Sequence, residues 1–368
     1  MSRTKGLDPN SDFMVSYLNC SYSKDSWSRI HEEIQSFADI IEDSSYTTAE
    51  RIDAEGYNLI CKFKIAGHIF GIKDPEARAA EIEALRPVLE SNFSLSGAIS
   101  YEQIVDHIEM SGREIMGKYK EGHTAAAASA TNQAASVVMK MFIIGGETRD
   151  FDDVAKVHFL SAEECSQLGN ARGATFLSTA YEWLQGVPGP DPEVYRRPLQ
   201  EIIESRMEVA EFAGTIVEFC TDQEFRATQR AAELGYKSAE GSLGKYAKAS
   251  GDLVEAEEKF KIAADADLSR YQYELGALYV EQGRMEEAIP YLEKARYNGF
   301  DVETKLEKRG LDVTLPSIAE PSMGGLSSLL RESEINVSGL KISEASDSAA
   351  KATHAAAEER SQSSSREK

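Results

Sequence analysis

Two stretches of the chain align without a gap, SLGKYAKASGDLVEAEEKFKIAADADL and ELGALYVEQGRMEEAIPYLEKARYNGF. Leu243 to Leu275, Gly244 to Gly276, Gly251 to Gly283, Ala256 to Ala288, Phe260 to Leu292 and Ala263 to Ala295 each step by 32 positions. An earlier partial copy, RAAELGY at 230–236, stands 32 positions before IAADADL at 262–268. A fixed period of this length constrains the fold more than any other feature. Each unit is one helical hairpin that cannot bury its apolar stripe alone, so neighbours must stack on it. The residue types fit that duty. Gly244 and Gly276 let one helix approach its partner closely, the alanines do the same from the second helix, and Leu243, Phe260, Leu275, Tyr279 and Leu292 fill the layers between.

The pattern Leu275-Gly276-x2-Tyr279-x3-Gly283-x4-Ala288-x3-Leu292-x2-Ala295 resembles the tetratricopeptide repeat, with a weaker copy at 243–263 carrying Ala247 in place of the tyrosine. The period of 32 is shorter than the usual period of about 34, and Phe300 stands where proline is frequent, which leaves both a strict member of the family and a short-turn relative of the Sel-like type open. The resemblance covers roughly residues 224–305. It implies an all-α fold, an α/α superhelical solenoid of stacked helical hairpins, with the first helices lining a concave groove. Carried over by position, the groove residues are Lys245, Lys248, Arg270, Tyr273 and Ala277, and the function implied is partner binding by a non-catalytic scaffold, adaptor or assembly factor. Three basic residues on one face of an acidic chain point to an acidic protein or peptide partner. The opposing possibility is that Lys245 and Lys248 only balance Glu255, Glu257 and Glu258.

Upstream, FDDVAKVHFLSAEECSQLGN and ARGATFLSTAYEWLQG read as a second helix, a Gly169 turn and a first helix ending at Gly186. Gly169 and Gly235 are 66 positions apart, close to two repeats, so the array is expected to begin before residue 150. Residues 25–148 read as helical without a common register. Ile30, Ile34, Phe37 and Ile41 form one helical stripe. Asp74-Pro75 and Ser100 with Gln103 are helix starts. Glycines 145, 169, 186, 235, 251, 283 and 299 fall where helical periods stop. The expected organisation is a flexible leader at 1–24, a helical region at 25–148, repeats at 149–310 and a disordered serine-rich tail at 311–368. Thirteen serines and no aromatic residue lie between 316 and 368, too little apolar surface for a core.

The loudest chemical motif is GREIMGKY at 112–119, one residue away from the phosphate loop G-x-x-x-x-G-K-[ST]. That loop needs a strand before it and a small hydroxyl after the lysine. Here SYEQIVDHIEMS has a helical period, Glu114 sets a negative charge beside the phosphates, and Tyr119 replaces the hydroxyl. The match is expected to be part of a helix. HEEIQ at 31–35 lacks the second histidine of a helical zinc motif, and SYSK at 21–24 is too short a pattern to carry chemistry. The six histidines are scattered, Cys165 reads as a core residue, and no C-x-x-C occurs among four cysteines. No catalytic residue, metal ligand or cofactor is therefore assigned. The alternative is an enzyme, or an accessory to one, with its site in residues 25–150.

The formal net charge of −22 disfavours nucleic acid and anionic lipid. No stretch reads as a membrane span or secretory signal. A cytoplasmic location is expected, so the sequons at Asn19, Asn92 and Asn336 would go unused.

Overall fold

The structure is a computed structural model describing residues 7, 8, 10, 14, 26–95, 97–145, 150–185, 192–313 and 315. Fifteen helices and no strand occur among the described residues. They are α1 (Ser26–Glu42), α2 (Thr48–Gly71), α3 (Pro75–Ala84), α4 (Arg86–Phe93), α5 (Tyr101–Tyr119), α6 (Ala125–Gly145), α7 (Phe151–Gln167) and α8 (Ala171–Gln185). There follow α9 (Pro192–Val209), α10 (Ile216–Glu233), α11 (Lys237–Ser250), α12 (Leu253–Asp265), α13 (Ser269–Glu281), α14 (Met285–Tyr297) and α15 (Val302–Lys308). From α5 onward each helix packs on the next in chain order, save that α9 sits beside α7 and α8 while α8 pairs with α10. Near-neighbour stacking of this kind is a helical solenoid.

The 32-residue register is physically literal. A Cβ added at Gly244 would lie 2.7 Å from Phe260 and 3.2 Å from the Ala256 carbonyl; at Gly276 it would lie 2.6 Å from Leu292 and 3.2 Å from the Ala288 carbonyl. Each contact pair is the other moved by one repeat. The hairpin turns match too. Gly251 (φ 88°) and Gly283 (φ 75°) close α11 and α13 in the left-handed conformation. In each, the glycine N–H reaches back three residues and the next N–H five, from Asp252 to the Ala247 carbonyl (2.9 Å) and from Arg284 to Tyr279 (2.8 Å).

The 66-residue interval holds something else. Between Gly169 and Gly235 lie α8 and α10, one hairpin by packing, with α9 inserted between them. Its length is close to that of two repeats, but its content is one hairpin and an extra helix.

In the N-terminal region, Thr47 and Glu50 form a capping box at α2, Ser100 and Gln103 form the expected one at α5, and Asp74 caps α3 with Pro75 in its first turn. Ile30, Ile34 and Phe37 are buried as their spacing requires. Helix α6 is the central post. It packs on α2, α5, α7 and α8, and its run AAAASATNQAASVV is small enough to admit them all. GREIMGKY lies wholly within α5. Gly112 is there for packing, since a Cβ would stand 2.6 Å from Val138 on α6, and the Lys118 ammonium pairs with Glu55 at 2.7 Å.

Two expected boundaries shift. The leader at 1–24 was expected to be loose, yet Met14 is fully buried in the core of α1 and α2, and Leu7 packs on the same core. At the other end, Leu311, Val313 and Leu315 pack against the core of α12–α15. The serine-rich sequence from 316 lies outside the described residues.

Candidate concave-face site

Helices α2, α6, α8, α11 and α13 share one face of the solenoid. Arg172 of α8 lies 4.4 Å from the Tyr57 ring of α2, and Lys140 of α6 stands between Phe63 of α2 and Trp183 of α8. Further along, Glu182 of α8 shares an electrostatic field with Lys245 of α11 and Arg270 of α13.

The five residues expected in the groove divide. Lys245, Lys248 and Arg270 come together on this face. Tyr273 and Ala277 do not open onto it: both are buried, and Tyr273 stacks on Phe300 at 5.0 Å. The reason is local. After α15 the chain packs back on α13, and Arg309 covers the Tyr273 ring at 5.0 Å while pairing with Glu274 at 2.7 Å. A lining position in a continuing array becomes a core position where the array ends.

The basic residues also meet acids. Lys248 pairs with Glu281 at 2.6 Å. Burial pushes the Lys245 amine down to about 8, with Arg270 adding to the effect and Glu274 and Glu182 opposing it. Burial and the neighbouring Glu224 push the Glu182 carboxyl up to about 7, while Lys245 and Arg270 pull it back. Glu224 in turn accepts from Gln185 at 2.9 Å and from the Tyr246 hydroxyl. This end of the face is a strip of alternating, mutually satisfied charge.

Lys140 is different, and no motif or period in the sequence marks it. Its ammonium lies 5.7 Å from the Phe63 ring centre and 5.9 Å from that of Trp183. The side chain is exposed, and the surrounding helices, with Lys64 beside it, push the amine down to about 8. Beneath, His158 stacks on Trp183 at 4.8 Å and bonds the Tyr195 hydroxyl through Nδ1 at 2.7 Å. Burial, helped by Lys140, drives that imidazole down to about 3, so it is neutral at pH 7. No carboxylate pairs with Lys140 among the described residues. This sets a cation above two aromatic rings, beside a second cation and a neutral histidine.

Within residues 25–150 the most perturbed acid is Asp53. It is 2% exposed and accepts from Ser129 Oγ (2.5 Å), from the Leu7 N–H (3.1 Å) and from Gln133 Nε2 (3.4 Å). Burial pushes it up to about 6 despite these donors. With Leu7 in place this carboxyl is buried. Cys165 is fully buried, its thiol raised well above the usual range by burial, and donates to the Ala125 carbonyl. Among the described residues no three His, Cys, Asp or Glu side chains gather to hold a metal ion. No helix among them is long and apolar enough to cross a membrane.

No protein-family model matches the chain and no curated protein is similar to it. Among solved structures, the crystal structure of a Sel1 repeat protein from Oxalobacter formigenes is similar over 84% of this chain and 96% of that one, with 13% identity and a TM-score of 0.24. At that score the overlay carries no weight. The solenoid rests on the helix order, the packing and the 32-residue register.

Proposed function

We propose that this helical-repeat protein binds an acidic segment of a partner protein along its concave face, with Lys140 as the anchor. The supporting observation is the contrast between two sets of cations. Those at the α11–α13 end face their own carboxylates, whereas Lys140 stands over two aromatic rings and itself has no carboxylate among the described residues. A carboxylate brought by a partner would find an exposed cation flanked by aromatic rings, with which it can form a charge-assisted contact. The reading as scaffold or adaptor follows from a fold that presents a long face and a site suited to holding rather than converting.

The test uses fluorescent twelve-residue peptides, acidic and neutral, titrated by polarisation. Acidic peptides bind the wild type and weaken with salt. Lys140→Glu lowers that affinity by about tenfold or more, Lys140→Arg retains it, and Lys248→Glu leaves it within about threefold. Equal binding by Lys140→Glu and wild type would sink the proposal.

A further inference from the structure

Residues 2–12 are polar apart from Leu7, so nothing in them can drive folding by itself. Three described residues of the N-terminal segment are nonetheless anchored, and to separate parts of the molecule. The Leu7 N–H donates to Asp53 Oδ2 at 3.1 Å, in the second turn of α2. Asn10 uses both ends of its amide 225 or more positions away: Nδ2 donates to the Gly235 carbonyl at 2.7 Å, and Oδ1 accepts from the Lys237 N–H at 3.1 Å. Met14 is fully buried with Ile30, Ile34 and Phe37.

The Asn10 contact supplies the side-chain cap that α11 lacks from its own preceding residue. The residue before α11, Tyr236, makes no side-chain cap, although the first N–H groups of a helix have no partner within it. Asparagine is a preferred capping residue because its carbonyl oxygen accepts from such groups. Here the cap comes from the far end of the chain. Aspartate could accept from Lys237 but could not donate to Gly235, so the seat reads an amide. Together the anchors define a short recognition pattern: a backbone N–H for Asp53, asparagine three residues on, and an apolar side chain four residues beyond that.

We infer that Leu7, Asn10 and Met14 hold the N-terminal segment on the solenoid as a resident ligand, Leu7 at α2 and Asn10 at the start of α11, and that it is exchangeable for a segment of the same pattern. The seat is separate from Lys140 and does not depend on the acidic-partner reading. Its occupant is this chain's own N-terminal segment, held at the high effective concentration that a covalent link provides. A segment from another molecule must displace it.

The experiment uses the full chain with a specific-protease site inserted between Met14 and Ser26. After cutting, the freed segment should stay bound at high protein concentration and leave on dilution. A fluorescein-labelled peptide of residues 5–16 should then bind the cut protein at least about tenfold more tightly than the uncut one, whose seat is filled. The same peptide with Asn10→Asp should bind the cut protein at least about tenfold more weakly. In the intact chain, Asn10→Asp should speed hydrogen exchange at the start of α11 and leave α14 unchanged, which checks the contact without any cut. Three results would overturn the inference: equal binding to cut and uncut protein, no effect of Asn10→Asp, or a cut segment that neither leaves nor exchanges. The last would make it a fixed structural element.

Discussion

An added Cβ at Gly276 would come within 2.6 Å of Leu292, and one at Gly112 within 2.6 Å of Val138. The two halves of the molecule thus bring helices together at the same closeness, and only one half repeats itself. Gly276 has a twin at Gly244 because α11 to α14 are 14, 13, 13 and 13 residues long, so each contact recurs at one offset. Gly112 has none. Helices α2, α5 and α6 are 24, 19 and 21 residues long, and α3 and α4 intervene. The interiors differ as well. Around α6 the core contains Asp53, Ser129, Asn132, Gln133 and His158, joined by hydrogen bonds such as Asn132 Nδ2 to the His158 carbonyl at 2.7 Å. Around α13 the buried polar side chains are Ser269 and Gln272. Close packing does not require a repeat. A repeat becomes visible only when hairpins of equal length are stacked without insertions.

The strongest way to break this comparison is to overfill both glycine contacts. Gly276→Leu should destabilise the chain by about 3 kcal/mol, since the new side chain meets Leu292 and a backbone carbonyl that cannot move alone. Gly112→Leu should cost somewhat less, because its nearest backbone atom is 3.5 Å away against 3.2 Å at Gly276. Urea unfolding of both variants measures the difference. An unchanged midpoint for Gly276→Leu would show that the 32-residue register does not describe the packing.

Asp53 sharpens the contrast between a polar and an apolar interior. Its folded carboxyl titrates at about 6 against 3.8 ordinarily, so the folded state holds that proton more tightly than the unfolded one. Its contribution to stability is therefore most favourable below pH 4 and is lost as pH rises towards 6. Asp53→Asn removes this titration while keeping an acceptor for Leu7. Relative to wild type, the variant should gain about 2 to 3 kcal/mol between pH 4 and pH 6.5, read from urea midpoints at each pH. A pH-independent difference would mean that the carboxyl is not in the buried setting described.

The smallest effect is expected at the motif that looked most like chemistry. Lys118 is half exposed and its partner Glu55 sits on α2. Lys118→Ala should change stability by less than about 1 kcal/mol and should not alter any nucleotide titration, as followed by calorimetry. Nucleotide binding that vanishes in this variant would restore the phosphate-loop reading.

By itself the sequence determined the helices, their caps at Asp74 and Ser100, the burial of Ile30, Ile34, Phe37 and Cys165, and the contacts of Gly244 and Gly276. All of these depend on neighbours a few residues away or one fixed repeat apart, and such distances leave a period. It also marked GREIMGKY as helix, because the residues between the glycines favour one. The tertiary structure alone decided the rest. Tyr273 and Ala277 are core because the chain after α15 folds back over α13, an event at the end of an array that no repeat pattern records. Lys140 becomes a cation over two aromatic rings because Phe63 and Trp183 arrive from two other helices. Asn10 becomes a cap for α11 because the folded stack brings residue 237 to it, although 227 positions separate them in the chain. Side-chain periodicity encodes which face of a helix is buried; it carries no information about which distant segment will cover that face.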